Sequence, residues 1–239
     1  MTKKMGLPHG FAVIVAGGSG HRMGTTVPKQ FLLLAGEPVL LRTLRRFANA
    51  VPTAARVVVL PAAECARWQA LLADFPDAPT HQVIAGGATR LASVRAGLAA
   101  LNREADSAIV AIHDGVRPLV PIAVIQAAYH VAAGQGSAVA AVALKDSLRR
   151  VLPDGSSVHE DRAAFRLVQT PQCFPLGVLR AAYAAVADTD AALTDDASVV
   201  ARHGHAIGLI EGSYENLKIT TPDDLLLAEI LFRRQSAIS

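Results

Sequence analysis

The sequence predicts an α/β protein in which a Rossmann-like, mostly parallel sheet carries helices on both faces. Three observations carry that expectation. Apolar, β-branched runs recur along the chain with helical patterns between them. Hydrophobic residues make up 51% of the 239 and charged ones 18%, which provides a sizeable core and excludes a disordered chain. Aromatics are only 5%, so that core must be built from Ala, Val, Leu and Ile, small enough for helices to lie close on a sheet. At this length one domain over residues 1–239 fits better than two equal ones.

The first strand is expected at 11–16. Lys3 and Lys4 ahead of that run give it a faint likeness to a signal peptide, but Pro8, His9 and Gly10 interrupt it and six apolar residues are short for such a segment. Further strands are expected at 56–60, 81–84, 108–113 and 137–144. Between them, 38–50, 61–74, 90–103 and 121–133 carry apolar residues at three- and four-residue spacing, and three of these segments open at or beside a proline. Such sheets bind ligands at the carboxyl ends of their strands.

The alternation breaks after Leu144. Residues 145–170 are rich in charges and turn formers, with Asp154-Gly155 between β-like stretches at 147–152 and 157–160, and read as a projecting β-hairpin arm. A two-stranded hairpin is marginal alone, so the arm would need a surface to lie on, for which a second copy of the chain is the obvious candidate; the pattern alone equally allows an ordinary surface excursion. Beyond it come a helix from Pro175 to about 187, a helix opening at Thr194, strands near 206–211 and 216–219, and a terminal helix from Pro222. Thr194-Asp195-Asp196 and Thr221-Pro222-Asp223-Asp224 both read as helix starts, with a hydroxyl cap and acids in the first turn.

Charge and cysteine usage exclude several classes. The 23 Lys and Arg against 20 Asp and Glu leave +3, too mild and too scattered for nucleic-acid binding. Cys65 and Cys173 are far apart with no His or Cys at metal-ligand spacing, so they read as reduced thiols of a cytoplasmic protein. No apolar stretch is long enough to span a bilayer.

The chemistry is concentrated in Val15-Ala16-Gly17-Gly18-Ser19-Gly20-His21-Arg22-Met23-Gly24, followed by Pro28-Lys29-Gln30-Phe31. A strand runs into small residues whose amides can approach phosphate oxygens, and two cations follow. No Gly-Lys-Ser or Gly-Lys-Thr closes a Walker A loop. A dinucleotide fingerprint would put Met23 at its third glycine, and the second strand ends Val59-Leu60-Pro61 without the acid that holds a ribose, which disfavours a dehydrogenase.

Ala16-Gly17-Gly18-Ser19-Gly20-x-Arg22-Met23 with Pro28-Lys29-Gln30 resembles the signature loop of sugar-phosphate nucleotidyltransferases, and closely that of the 2-C-methyl-D-erythritol 4-phosphate cytidylyltransferase family. Further landmarks agree in order: Gly86-Gly87-x-x-Arg90-x-x-Ser93-Val94, His113-Asp114-x-x-Arg117-Pro118, Gln169-Thr170-Pro171-Gln172, Thr194-Asp195-Asp196-Ala197-Ser198, and Glu211-Gly212 through Asn216-x-Lys218-x-Thr220. The resemblance runs from about residue 11 to about 231.

It implies transfer of a cytidylyl group from CTP to a polyol phosphate with release of pyrophosphate, in isoprenoid precursor synthesis. Arg22, Lys29 and Lys218 would be the catalytic cations. Ala16, Gly17, Gly18, Gly20, Gly87, Ser93 and Asp114 would hold the nucleotide, and Asp114 a magnesium ion, which needs few carboxylates besides phosphate oxygens and water. Asp114, Arg117, Thr170, Thr194 and Lys218 would hold the polyol phosphate, joined by Ser147 and Arg162 from the partner's arm in a homodimer. Two departures stand out: Ala88 where some members carry an acid, and Ser147 where Thr is frequent. His113 reads as an interior-facing structural histidine. A ribitol-5-phosphate cytidylyltransferase shares the same motifs, and a non-catalytic nucleotide-binding protein of this fold would be expected to lose the cations first.

Overall fold

The computed structural model describes residues 10–17 and 27–238, with side chains through residue 235. The strands are β1 (Gly10–Val15), β2 (Leu33–Leu34), β3 (Glu37–Pro38), β4 (Ala55–Leu60), β5 (Gln82–Ala85), β6 (Ile109–Asp114), β7 (Ala138–Ala143), β8 (Leu148–Val151), β9 (Ser157–Glu160), β10 (Arg166–Pro175) and β11 (Leu209–Glu211). The helices are α1 (Val39–Ala50), α2 (Ala62–Leu72), α3 (Arg90–Ala99), α4 (Ile122–Gln135), α5 (Leu176–Ala184), α6 (Asp196–Arg202) and α7 (Pro222–Ile238).

Seven strands form one sheet in the order β11-β7-β10-β6-β1-β4-β5. Every pairing in it is parallel except those of β10, which runs antiparallel to both β6 and β7. The strand alternation explains the layering. Ala12, Ile14 and Ala16 face a core shared with Leu40, Leu44 and Phe47 of α1 and Ile125 and Tyr129 of α4. Phe11, Val13 and Val15 point the other way, toward Leu91, Val94 and Leu98 of α3 and Leu176, Leu179 and Tyr183 of α5. A strand buried on both sides must be apolar throughout, as β1 is.

From β1 the chain goes to β4 and β5 on one side, then crosses to β6 on the other. The reversal therefore falls between β1 and β6, where Val15 pairs with Asp114 at the carboxyl ends of both strands. Such a switch point leaves a crevice, because the connections on either side lead away from it.

Three features depart from the sequence-based expectation. The arm segment was expected to continue to residue 170, yet Arg166 already pairs with Ala143 as the start of β10. That strand contains Pro171, which has no N–H for the ladder, and its register to β7 shifts between Val168 and Gln172. Residues 216–219 form no strand; Ile219 instead donates its N–H to the Val116 carbonyl at 2.9 Å. The short β2–β3 pair was not anticipated, and turns through Gly36 at a φ of 84°. Within the arm segment, β8 and β9 pair antiparallel from Leu148↔Glu160 to Val151↔Ser157 as a separate two-stranded sheet. No helix among the described residues is long and apolar enough to cross a membrane.

Candidate active site

At the end of β6, Asp114 is 7% exposed and is the point on which the site converges. Its Oδ2 lies 3.1 Å from both Arg117 Nε and Lys218 Nζ. Its Oδ1 is 3.8 Å from Arg90 Nε. Burial opposes ionisation, but Lys218, Arg117 and Arg90 together hold this carboxyl well below the usual carboxylate range. The backbone sets the same residue: Asp114 N–H donates to Thr170 Oγ1 at 3.1 Å, tying β6 to β10.

Each cation arrives from a different element. Arg117 sits in the turn after β6 and donates from Nη1 to the Asn216 carbonyl at 2.8 Å. Asn216, 1% exposed, donates to the Thr170 carbonyl at 2.8 Å. Lys218 follows two residues on, anchored by the buried Ile219 in a small apolar cluster with Leu34, Val39, Val116, Leu119 and Ala228. Arg90 opens α3, whose cap is Thr89, its Oγ1 accepting the Ala92 N–H at 3.0 Å.

Two adjoining clefts share Arg90, Asp114 and Lys218. The first, of roughly 400 Å³, is also lined by Ala16, Gly17, Lys29, Gly87 and Ser93. The turn from β5 into α3 makes this wall: a Cβ on Gly87 would lie 2.4 Å from Ala92 Cβ, and one on Gly86 2.7 Å from Ser93 Oγ, so neither position tolerates a side chain. Ser93 is buried and donates to the Thr89 and Gly87 carbonyls. Lys29 begins a single 3-10 turn, Lys29–Phe31, pinned by Phe31 stacking on Trp68 at 5.8 Å. The second cleft, of roughly 240 Å³, adds Arg117, Thr170, Thr194, Gln169, Gln172 and Asp195.

The structure thus gathers Ala16, Gly17, Lys29, Gly87, Ser93, Asp114 and Lys218 around one space, and Arg117, Thr170 and Thr194 beside it. Gly18, Gly20 and Arg22 lie outside the described residues. Ser147 and Arg162 are exposed on the arm segment and line neither cleft of their own chain. The cap of α6 is Asp195, not Thr194: Asp195 Oδ1 accepts the Ser198 N–H at 2.9 Å, which leaves the Thr194 hydroxyl free to face the second cleft.

Sequence reasoning did not select Arg90 as a site residue, since the first residue of a helix reads as an exposed charge. Its partner Asp196 reads as a helix-dipole acid, yet is fully buried. The signals available were the place of Arg90 in the Gly86-Gly87-x-x-Arg90 landmark and the second acid of Thr194-Asp195-Asp196, since a single acid suffices to cap a helix.

His113, the residue before Asp114, is fully buried against the Phe47 ring at 4.8 Å, facing the interior as its place in the strand predicts. Burial pushes its imidazole down to about 3, outweighing the attraction of Asp114. Between that value and 6.5 the unfolded chain binds a proton that the folded chain refuses. The contribution to stability is therefore complete above 6.5 and lost as pH falls through the window, at up to about 1.4 kcal/mol per pH unit. Thermal midpoints between pH 6.5 and 4.5 should fall in the natural protein, and should fall less steeply in His113→Gln.

Comparison with known proteins identifies relatives over nearly the whole chain. Residues 11–234 match the model of the family described as 2-C-methyl-D-erythritol 4-phosphate cytidylyltransferase. A protein of that name from Porphyromonas gingivalis is 46% identical over 92% of this chain and 96% of its own length. One from Bacillus velezensis is 39% identical over 94% and 96%. The crystal structure of the Thermus thermophilus protein of that name superposes with a TM-score of 0.76 at 33% identity, over 94% of this chain and 99% of the other.

Proposed function

The chain belongs to the 2-C-methyl-D-erythritol 4-phosphate cytidylyltransferase family, and from that premise we propose how its two clefts divide the reaction. The enzyme transfers a cytidylyl group from CTP to 2-C-methyl-D-erythritol 4-phosphate, giving CDP-methylerythritol and pyrophosphate, in isoprenoid precursor synthesis. CTP takes the first cleft, beside Ala16, Gly17, Gly87 and Ser93, and Gly18 and Gly20 would also bind it. The polyol phosphate takes the second, beside Arg117, Thr170 and Thr194. The observation that carries this division is the shared wall of Arg90, Asp114 and Lys218, which would bring two anionic groups to one place.

The nucleophile is a phosphate oxygen, and a phosphomonoester with a second pKa of about 6 is already largely ionised at neutral pH. No general base is needed. The barrier is instead the approach of two anions and the charge that builds on the α-phosphate, so fixed cations in a dehydrated cleft are the remedy. Arg22 and Lys29 would stabilise that charge, and Lys218 would hold the incoming phosphate. Asp114 keeps Lys218 and Arg117 in place through its Oδ2, while its Oδ1 faces Arg90 Nε at 3.8 Å.

That donor set fits magnesium in one way. Among the described residues no three His, Cys, Asp or Glu gather as a metal cage, so Mg²⁺ would rest on Asp114 and the phosphate oxygens of CTP. Bound there, the ion would neutralise the triphosphate and assist pyrophosphate departure.

A homodimer would complete the site. Val151, Phe165, Leu167 and Val168 are exposed apolar residues on and beside the arm, which favours a covering partner. Arg162 would then reach the partner's second cleft, with Ser147 near it. Mixing inactive Lys29→Ala and Arg162→Ala proteins should restore about a quarter of the normal rate, because half of re-formed dimers are mixed and each of those has one intact site. No recovery after subunit exchange would remove Arg162 from the partner's site. Free Cys65 and Cys173 suit a cytoplasmic enzyme.

The function is tested by giving the purified protein CTP and Mg²⁺ with methylerythritol phosphate or ribitol 5-phosphate. Pyrophosphate should be released with the first; preference for the second would overturn the substrate assignment.

A further inference from the structure

Arg90 is one of the three residues that line both clefts, and its position is set from behind. Its Nη1 and Nη2 form a two-pronged ion pair with the Asp196 oxygens, at 3.0 and 2.6 Å. The same Asp196 Oδ1 accepts the Tyr183 hydroxyl at 2.5 Å. Asp196 is fully buried and Tyr183 is 2% exposed, so this anchor belongs to the core between α5 and α6. With both Nη groups directed to Asp196, the remaining Nε–H edge of Arg90 faces Asp114 Oδ1 across the junction.

The anchor is itself fixed by the sheet. Gln172 of β10, 1% exposed, accepts the Ala197 N–H at 2.7 Å and donates to Asp195 Oδ2 at 2.9 Å. It thereby pins the first turn of α6, the turn that presents Asp196. A guanidinium held at two points cannot rotate, whereas a free arginine would sample many rotamers in a water-filled cleft. Tyr183 adds a third constraint, since its hydroxyl fixes the oxygen that Nη1 uses.

We propose that Asp196 and Tyr183 are positioning residues for cytidylyl transfer, holding Arg90 as an oriented cation at the junction of the two clefts, where it restrains Asp114 and meets the reacting phosphates. The inference rests on the cytidylyl-transfer reading of those clefts. It assigns to Asp196 a role beyond the first turn of its helix, and to Tyr183 one beyond core packing. The chemistry is that of preorganisation: an interaction with developing charge contributes most when its donor does not have to be ordered during the reaction.

Three variants test it: Asp196→Asn, Tyr183→Phe and Arg90→Lys, each assayed for pyrophosphate release with CTP, methylerythritol phosphate and Mg²⁺ well below its thermal midpoint. Asp196→Asn and Arg90→Lys should lose about 10- to 100-fold in kcat, and Tyr183→Phe about 3- to 10-fold, with KM for either substrate moving less than about threefold. The double variant Asp196→Asn/Arg90→Lys should be no worse than the poorer of its two single variants, because Asp196 and Arg90 act as a unit. If Asp196→Asn does not fold, Tyr183→Phe and Arg90→Lys decide, since both keep the side-chain volume close to the original.

A lowered midpoint with kcat within twofold of the natural enzyme would make the group structural and overturn the proposal. So would an unchanged kcat with lowered KM, which would mean that Asp196 only offsets charge in the clefts. Additive losses in the double variant would sever Asp196 from Arg90. A natural enzyme that releases no pyrophosphate from this pair of substrates would instead refute the functional reading itself.

Discussion

Lys29→Ala should lower kcat on the order of 10²- to 10³-fold, the effect of deleting one preorganised donor from a water-poor site. Lys29 is only 9% exposed, yet lines the first cleft beside Gly17 and opposite Gly87 and Ser93. Its backbone belongs to the Lys29–Phe31 turn, which Phe31 holds by stacking on Trp68. Truncation should therefore leave the fold in place and remove charge from the site. The protein's single tryptophan, packed on that turn, gives a direct check through its emission. Expected together are a native emission spectrum, a small change in KM for CTP, and the loss in kcat. Turnover within about threefold of normal would take Lys29 out of the mechanism.

Asp114→Asn should be damaging in two separable ways. The carboxylate is approached by three cations, Lys218 and Arg117 at 3.1 Å and Arg90 at 3.8 Å. Removing its charge leaves Lys218 and Arg117 facing one another, while Arg90 keeps its pair with Asp196; because Lys218 is 42% exposed, solvent offsets part of the loss, which stays below the ~3–5 kcal/mol of breaking a fully buried pair. A clear drop in the thermal midpoint is expected. Activity should fall on the order of 10³-fold or more, because the same change frees Lys218 and takes away the carboxylate on which the proposed magnesium ion would rest. Calorimetry and pyrophosphate release separate the two, since raising Mg²⁺ can restore turnover in part without restoring the midpoint. A variant with the natural midpoint would mean that the three cations find other partners.

The pH behaviour of Asp114 follows the same logic. Its folded carboxyl lies below the unfolded value of 3.8, so its contribution is complete above that value and disappears as pH falls further. The loss due to His113 begins earlier, between 6.5 and about 3. The upper limb of acid unfolding therefore belongs to the histidine and the lower to the carboxylate.

Much of the fold was legible because local physics wrote it. Phe11 to Ala16 is apolar at every position, which only a strand covered on both faces requires, and the helix α3 begins at its threonine cap. Thr221 likewise starts the last helix: its Oγ1 accepts the Asp224 N–H while Asp224 Oδ2 accepts the Thr221 N–H. β10 was not legible. Its Gln169-Thr170-Pro171-Gln172 core is polar and proline-bearing, a composition typical of a turn, and its place between β6 and β7 depends on partners that the chain reaches only by folding.

The candidate site divides along the same line. Sequence alone determined the layered α/β body and the motifs, the glycine-rich segment after the first strand among them, that mark a cytidylyltransferase, because spacing, alternation and capping act over a few residues. Tertiary structure alone decided that Arg90, Arg117 and Lys218 converge on Asp114, and that Asp196 and Tyr183 hold Arg90 from the core. The reason is physical: an ion pair depends on distance through space, and Arg90 and Asp196 are 106 residues apart along the chain, brought within 3 Å only by the packing of α3 against α5 and α6.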